Sequence, residues 1–254
     1  MPVPSRVRIA VLLLFATAFR PLQATDLTSS EVGYKLSRAD NPFVVVPGAI
    51  IDTRGNGAVA IDASGSSGWS LTNNGTVYGG YNAVHLPLGT LTNFGVLASP
   101  STTAVAMFAG GTVVNQAGAV IAGKLDGIYL GQSGSMVINA GDIAGDVFDY
   151  SSTQAAIHFA ESGTVVNLAT GRIVGHAHGI LATPALTLDN AGLIASDEGA
   201  AIDLDTGPSA PASIVNSGTI DGRSGVAISF GPADDRLEIT VPLSAKWMAA
   251  CVLE

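Results

Sequence analysis

The amino-acid sequence predicts an all-β protein built as a parallel β-helix, or β-solenoid, of about eight coils. Three observations predict this fold. The chain of 254 residues contains 31 Gly, and only 12% of its residues are charged. An asparagine-containing sequence motif recurs at intervals of 20 to 28 residues. Each repeat divides into three short β-like pieces separated by Gly, Asn and Ser, which leaves no room for a helix.

The repeats share one marker residue. Each unit begins with an apolar piece that ends at an asparagine, continues with G-x-[IV]-x-G, and finishes with an alternating piece. A weaker unit, residues 44–62, precedes the others. Because equivalent turns stack in a solenoid, we expect the asparagines to hydrogen-bond from coil to coil and to serve a structural role. The markers are Asn73, Asn93, Asn115, Asn139, Asn167, Asn190 and Asn216.

The third piece of each repeat predicts one inward and one outward column, because successive strand residues point to opposite faces. The inward column is uniformly aliphatic, as a core requires, whereas the outward column is chemically mixed. The inward residues are Val84, Val105, Ile128, Ile157, Ile180, Ile202 and Ile228. The outward residues are His85, Ala106, Tyr129, His158, Leu181, Asp203 and Ser229.

The N-terminal region has the layout of a secretory signal peptide, which we assign to residues 1–24. Arg6 and Arg8 precede an apolar run, and Ala24 is a small residue ahead of the cut. The run is too short to cross a bilayer, so the mature chain is expected to have no membrane span. Residues 25–43 are interpreted as a linker or cap, 44–238 as the repeat domain, and 239–254 as an irregular tail.

The charge balance excludes a nucleic-acid partner. Removal of residues 1–24 takes away three Arg and no acid, so the formal net charge changes from −9 to −12. Such a surface lacks the basic footprint that phosphate backbones require. The single cysteine, Cys251, excludes an intrachain disulfide, and packing and hydrogen bonds must stabilise the fold.

The repeats resemble the passenger domains of bacterial autotransporters and related filamentous adhesins. Residues 214–230, "IVNSGTIDGRSGVAISF", carry the pattern most fully, and "GPADDRLEI" after them resembles the stretch that often ends such arrays. The resemblance implies a right-handed parallel β-helix. It also implies a C-terminal β-barrel translocator, which the tail after Ile239 does not resemble. We therefore expect a truncated or frameshifted passenger, or a separately encoded barrel.

The candidate binding site lies in the longest repeat interval. Insertions in a solenoid form loops on one face and are often where binding occurs. The segment 146–154 contains Phe148 and Tyr150, and Tyr129 belongs to the neighbouring outward column. These three aromatic residues are the predicted ligand-contact patch.

No catalytic residue, cofactor or metal site is predicted. Asp234 and Asp235 fit a turn balanced by Arg236 better than a cation site, and the calcium nonapeptide is not present. His176 and His178 lie in one turn without further metal ligands close to them in the sequence.

The predicted function is that of an exported, surface-exposed solenoid with an adhesive or structural role. Its partners would be host cells, matrix, glycans or other copies of the chain, and its location the cell surface or, without a translocator, the periplasm. The alternative is a secreted carbohydrate-active enzyme, a polysaccharide lyase or hydrolase. Asp203 and Asp205 would then supply carboxylates on one face, about 6.6 Å apart by strand rise.

Overall fold

Three parallel sheets wind around a single core. A computed structural model describes residues 24–65, 68–145, 154–183, 185–204, 210–223 and 225–240. Each coil contributes one strand to each sheet, and the eight-stranded second sheet corresponds to eight coils. The predicted parallel β-helix of about eight coils is therefore confirmed.

The first sheet contains ten strands, and most of them end at a marker asparagine. They are β1 (Thr25–Leu27), β3 (Phe43–Val45), β6 (Gly68–Asn73), β9 (Leu88–Asn93), β12 (Gly111–Asn115), β15 (Ser135–Asn139), β18 (Gly163–Asn167), β21 (Leu186–Asn190), β24 (Ser213–Asn216) and β27 (Arg236–Ile239).

The second sheet carries the G-x-[IV]-x-G pieces. Its strands are β4 (Ile50–Asp52), β7 (Thr76–Tyr78), β10 (Val96–Ser99), β13 (Val120–Gly123), β16 (Asp142–Gly145), β19 (Arg172–Gly175), β22 (Leu193–Ser196) and β25 (Thr219–Gly222).

The third sheet carries the alternating pieces. Its strands are β2 (Tyr34–Lys35), β5 (Ile61–Asp62), β8 (Val84–His85), β11 (Val105–Met107), β14 (Ile128–Leu130), β17 (Ala155–Phe159), β20 (His178–Ala182), β23 (Ile202–Asp203) and β26 (Ile228–Ser229).

Helix is almost absent from the described residues. A 3₁₀ turn at Arg38–Asp40 is the one helical element there, and no helix of these residues is long and apolar enough to cross a membrane. Residues 25–43, predicted as a linker or cap, supply β1, β2 and this turn at one end of the stack. Of the predicted signal peptide, only Ala24 lies within the described residues.

The strands pair in the register that the repeats predict. In the third sheet Val84 pairs with Val105, Val105 with Ile128, and Ile128 with Ile157. These side chains are completely buried, so the inward column forms the continuous core. The outward positions pair in parallel with it, which sets every outward side chain directly above its counterpart.

The asparagines form the predicted ladder at the corner between the first and second sheets. Each Nδ2 donates to the Oδ1 of the next asparagine, over 2.7 to 2.9 Å, from Asn73 to Asn216. The same amides donate to turn carbonyls, as Asn93 does to Gly95, and to the strand of the next coil, as Asn93 does to Val120. The ladder therefore satisfies polar groups that would be costly to bury alone.

Close stacking at this corner also explains the glycine that follows the asparagine. A Cβ atom at Gly95 would collide with the carbonyl oxygen of Gly75 in the preceding coil. The backbone N–H of Gly95 meanwhile donates to Asn93 Oδ1. Only glycine fits between these two coils without displacing one of them.

Candidate ligand-binding surface

The outer face of the third sheet gathers aromatic side chains from four successive coils. Parallel pairing sets His85 opposite Ala106, Ala106 opposite Tyr129, and Tyr129 opposite His158. Ala106 carries only a methyl group, and the side chain that fills this level is that of Phe108. Phe108 lies two residues farther along the chain, in the turn that follows β11, and its ring contacts those of His85 and Tyr129.

The four rings contact one another in sequence. Ring centroids lie 5.4 Å apart between His85 and Phe108, 5.4 Å between Phe108 and Tyr129, and 5.1 Å between Tyr129 and His158. The two contacts that involve histidine are edge-to-face, an arrangement that aromatic quadrupoles favour. We call His85, Phe108, Tyr129 and His158 the aromatic strip.

A carboxylate lies beside each end of the aromatic strip. His85 Nδ1 lies 2.7 Å from Asp62 Oδ1, an outward residue of the preceding coil. His158 Nδ1 lies 3.6 Å from Asp126 Oδ1. Because Nδ1 faces the carboxylate in both pairs, Nε2 is the ring nitrogen left for a ligand.

Asp126 is also a structural residue. Its side chain is 10% exposed, its Oδ1 accepts the backbone N–H of Ala155, and its Oδ2 accepts the hydroxyl of Thr103. The hydrogen bond from the Ala155 backbone N–H fixes the first residue of β17, immediately after the long insertion. The carboxylate thus anchors the coil that presents His158.

The aromatic strip is accessible in its middle and ends at a buried neighbour. Phe108 is 56% exposed, whereas Leu181, which follows His158 in the outward column, is only 4% exposed. Tyr129 and the two histidines are partly exposed. The accessible face therefore spans the four coils from His85 to His158.

Comparison with family models, curated proteins and solved structures finds no match. The chemistry of the surface must therefore be derived from its own side chains. The aromatic strip offers apolar ring surface, a phenol and two imidazoles, and no lysine or arginine belongs to it. Such a set suits reversible binding of a ligand that has apolar edges and hydrogen-bonding groups.

The structure places one of the three predicted ligand contacts in this surface. Tyr129 lies in the middle of the aromatic strip, between Phe108 and His158. Phe148 and Tyr150 lie outside the described residues, and their part of the prediction stays a prediction. Sequence reasoning missed Phe108, because it considered one outward residue per coil. The signal was present in the alternation of Ala106 and Phe108.

The carboxylates considered for catalysis have other neighbours. Asp203 Oδ2 lies 3.5 Å from His178 Nε2, and both side chains are largely buried. Asp205 lies outside the described residues. No group of three or more metal-ligating His, Cys, Asp or Glu side chains occurs in the part of the chain that the structure describes.

The aspartates near the end of the repeats are part of the packing. Asp235 Oδ1 accepts the backbone N–H of Ala212 over 2.7 Å, which fixes the chain just before β24. The expectation that Arg236 balances these aspartates is wrong, because its Nη2 lies 2.9 Å from Glu238 Oε2. Arg236 and Glu238 are two residues apart on β27 and share one face.

Proposed function

We propose that this chain is an exported, passenger-like surface protein that binds its partner through the outside of the solenoid. The observation that carries the proposal is the aromatic strip, which runs over four coils on the outside of a solenoid with a continuous apolar core. Exposed apolar surface rimmed by polar groups is typical of interaction sites. The stacked coils hold this surface rigid, so little order is lost on binding.

Export is supported by the N-terminal sequence and by the resemblance to autotransporter passengers. The cell surface or extracellular medium is the proposed destination, and the periplasm is the destination without a translocator. In either place the fold has no need of a disulfide, because the asparagine ladder and the apolar core provide its cohesion.

The export proposal is tested by fractionation of a Gram-negative host that produces the full chain with a C-terminal tag. We expect the chain to leave the cytoplasm and to lose residues 1–24, which mass spectrometry detects. Replacing Leu12, Leu13 and Leu14 with Asp should keep it in the cytoplasm. An uncleaved cytoplasmic chain in both cases would contradict export.

The binding proposal is tested by coating beads with the full chain and measuring attachment to epithelial cells and matrix. We expect attachment that the double substitution Phe108→Ala and Tyr129→Ala reduces strongly. Attachment that survives this change would contradict the assignment of the surface. Release of new reducing ends from polysaccharides, abolished by Asp203→Asn, would instead favour the carbohydrate-active enzyme.

A further inference from the structure

We infer that the aromatic strip binds an uncharged polysaccharide, with the sugar chain laid along the solenoid axis. The inference rests on the proposed binding role of this surface and names its ligand class. The ligand would contact the outer face of β8, β14 and β17 and the Phe108 ring beside β11.

The accessible ring surface of Phe108 favours a sugar ligand. Phe108 is more than half exposed although both neighbouring rings pack against it. The face of an aromatic ring is the negative part of its quadrupole and attracts weakly positive C–H groups. Pyranose rings present such C–H groups on their flat sides, so they fit an exposed phenyl ring.

The polar groups of the aromatic strip also favour a sugar ligand. A phenol hydroxyl both donates and accepts hydrogen bonds, as sugar hydroxyls do. The Tyr129 hydroxyl lies between the two histidines in the order of the coils, and each histidine has its Nδ1 turned to a carboxylate. The contact with Asp62 fixes the orientation of the His85 imidazole before a ligand arrives, which lowers the entropic cost of binding.

Charge disfavours an anionic glycan at this surface. Two carboxylates border the aromatic strip, Asp62 beside His85 and Asp126 beside His158. No lysine or arginine belongs to the strip to offset them. Their negative charge disfavours sulfated or uronic-acid polymers.

The linear shape of the aromatic strip favours a polymer over a single sugar. The strip rises by one coil per step, about 4.8 Å, and covers about 14 Å from His85 to His158. A repeating linear ligand meets a repeating row of side chains here, and adjacent contacts act together because they belong to one molecule. A monosaccharide would occupy only one step of this row.

The experiment is a titration of the purified full chain, followed by calorimetry, with uncharged hexasaccharides of glucose, mannose, galactose and N-acetylglucosamine. We expect at least one of them to bind and its monosaccharide to bind far more weakly. Phe108→Ala and Tyr129→Ala should each raise its Kd about tenfold, as loss of a central aromatic contact does. Phe94→Ala is the matched control and should leave Kd unchanged, since Phe94 is a 41% exposed aromatic at the asparagine corner.

Three outcomes would overturn the inference. These are no binding of any of the four hexasaccharides, equal losses in the Phe94→Ala variant, and binding of hexalysine or hexagalacturonate in preference to the uncharged sugars. If cells still attach through Phe108 and Tyr129 while the sugars do not bind, the ligand class is wrong and the proposed binding role stands. If the sugars bind a chain that is never exported, the ligand class stands and the proposed export is wrong.

Discussion

At the scale of single residues, the marker asparagines link successive coils through side-chain hydrogen bonds. Asn115 lies in the middle of the ladder: it accepts from Asn93 and donates to Asn139 and to the carbonyl of Asp142. Each neighbour depends on this one side chain for a hydrogen bond inside the protein. The repeated asparagine is thus explained by stacking rather than by chemistry toward a ligand.

We predict that Asn115→Ala lowers the free energy of unfolding by about 1–3 kcal/mol, because it removes the bonds to both ladder neighbours and takes the ladder donor from the buried Asn139 Oδ1. Urea denaturation followed by circular dichroism provides the measurement. Asn216→Ala is the control, since Asn216 accepts only from Asn190 within the ladder and should cost clearly less. Equal losses for the two variants would contradict a cooperative ladder.

A second residue-scale prediction concerns Asp52 on the second sheet. The hydrogen bonds that the Arg54 side chain donates hold the pKa of the Asp52 carboxyl below its ordinary value. A depressed folded-state pKa contributes stability above the ordinary carboxyl range near pH 4, and this contribution is lost as the pH falls through the depressed pKa.

Carbon-detected NMR of the Asp52 carboxyl should therefore show a titration midpoint below that of an unpaired aspartate. In Arg54→Ala the midpoint should return to the ordinary range. Because both side chains are substantially exposed, the global stability should change little. An unchanged midpoint in the variant would show that the pair does not form in solution.

At the scale of elements, a strand gains most of its stability from the coils on both sides of it. Ile128 on β14 is fully buried between Val105 and Ile157. Ile228 on β26 occupies the same column but pairs on one side only, with Ile202, among the described strands. Its side chain is accordingly only partly buried.

This difference predicts unequal costs for the same substitution. Ile128→Ala should destabilise the protein by about 2–5 kcal/mol, the usual cost of a cavity in a packed core. Ile228→Ala should cost distinctly less, because the site is already partly open. Thermal unfolding of both variants provides the comparison, and a larger loss at Ile228 would contradict the described stacking.

The sequence predicts the elements of the third sheet well and the contacts between their side chains less well. The pairing of Tyr129 with His158 follows from the repeat alignment, even across the long insertion between them. The pairing of His158 with Asp126 does not, because Asp126 lies in a turn whose path depends on the cross-section of the coil. Repeat alignment determines register, whereas turn geometry depends on three-dimensional packing.

At the scale of the whole molecule, internal repetition determines the architecture. Copies of one sequence repeat stack on one another, so that a single core, a single ladder and a single outer column follow from the same alignment. Function is less predictable because it depends on residues that differ from the common pattern of the repeats. Phe108 is such a residue: it compensates for the small Ala106 and completes a row of four rings.

Cysteine cross-linking reports whether the coils stack in the register that builds the aromatic strip. In a Cys251→Ser background, the double variant Tyr129→Cys and His158→Cys should form a disulfide on mild oxidation. Parallel neighbours lie about 4.8 Å apart, within the Cα separation that a disulfide accepts. Mass spectrometry of proteolytic fragments identifies the link.

The matched control is His85→Cys with His158→Cys, two positions three coils and about 14 Å apart, which should remain free thiols. We predict complete cross-linking of positions 129 and 158 and none between 85 and 158. Free thiols at 129 and 158, or equal cross-linking of both pairs, would contradict the stacked register and with it the aromatic strip.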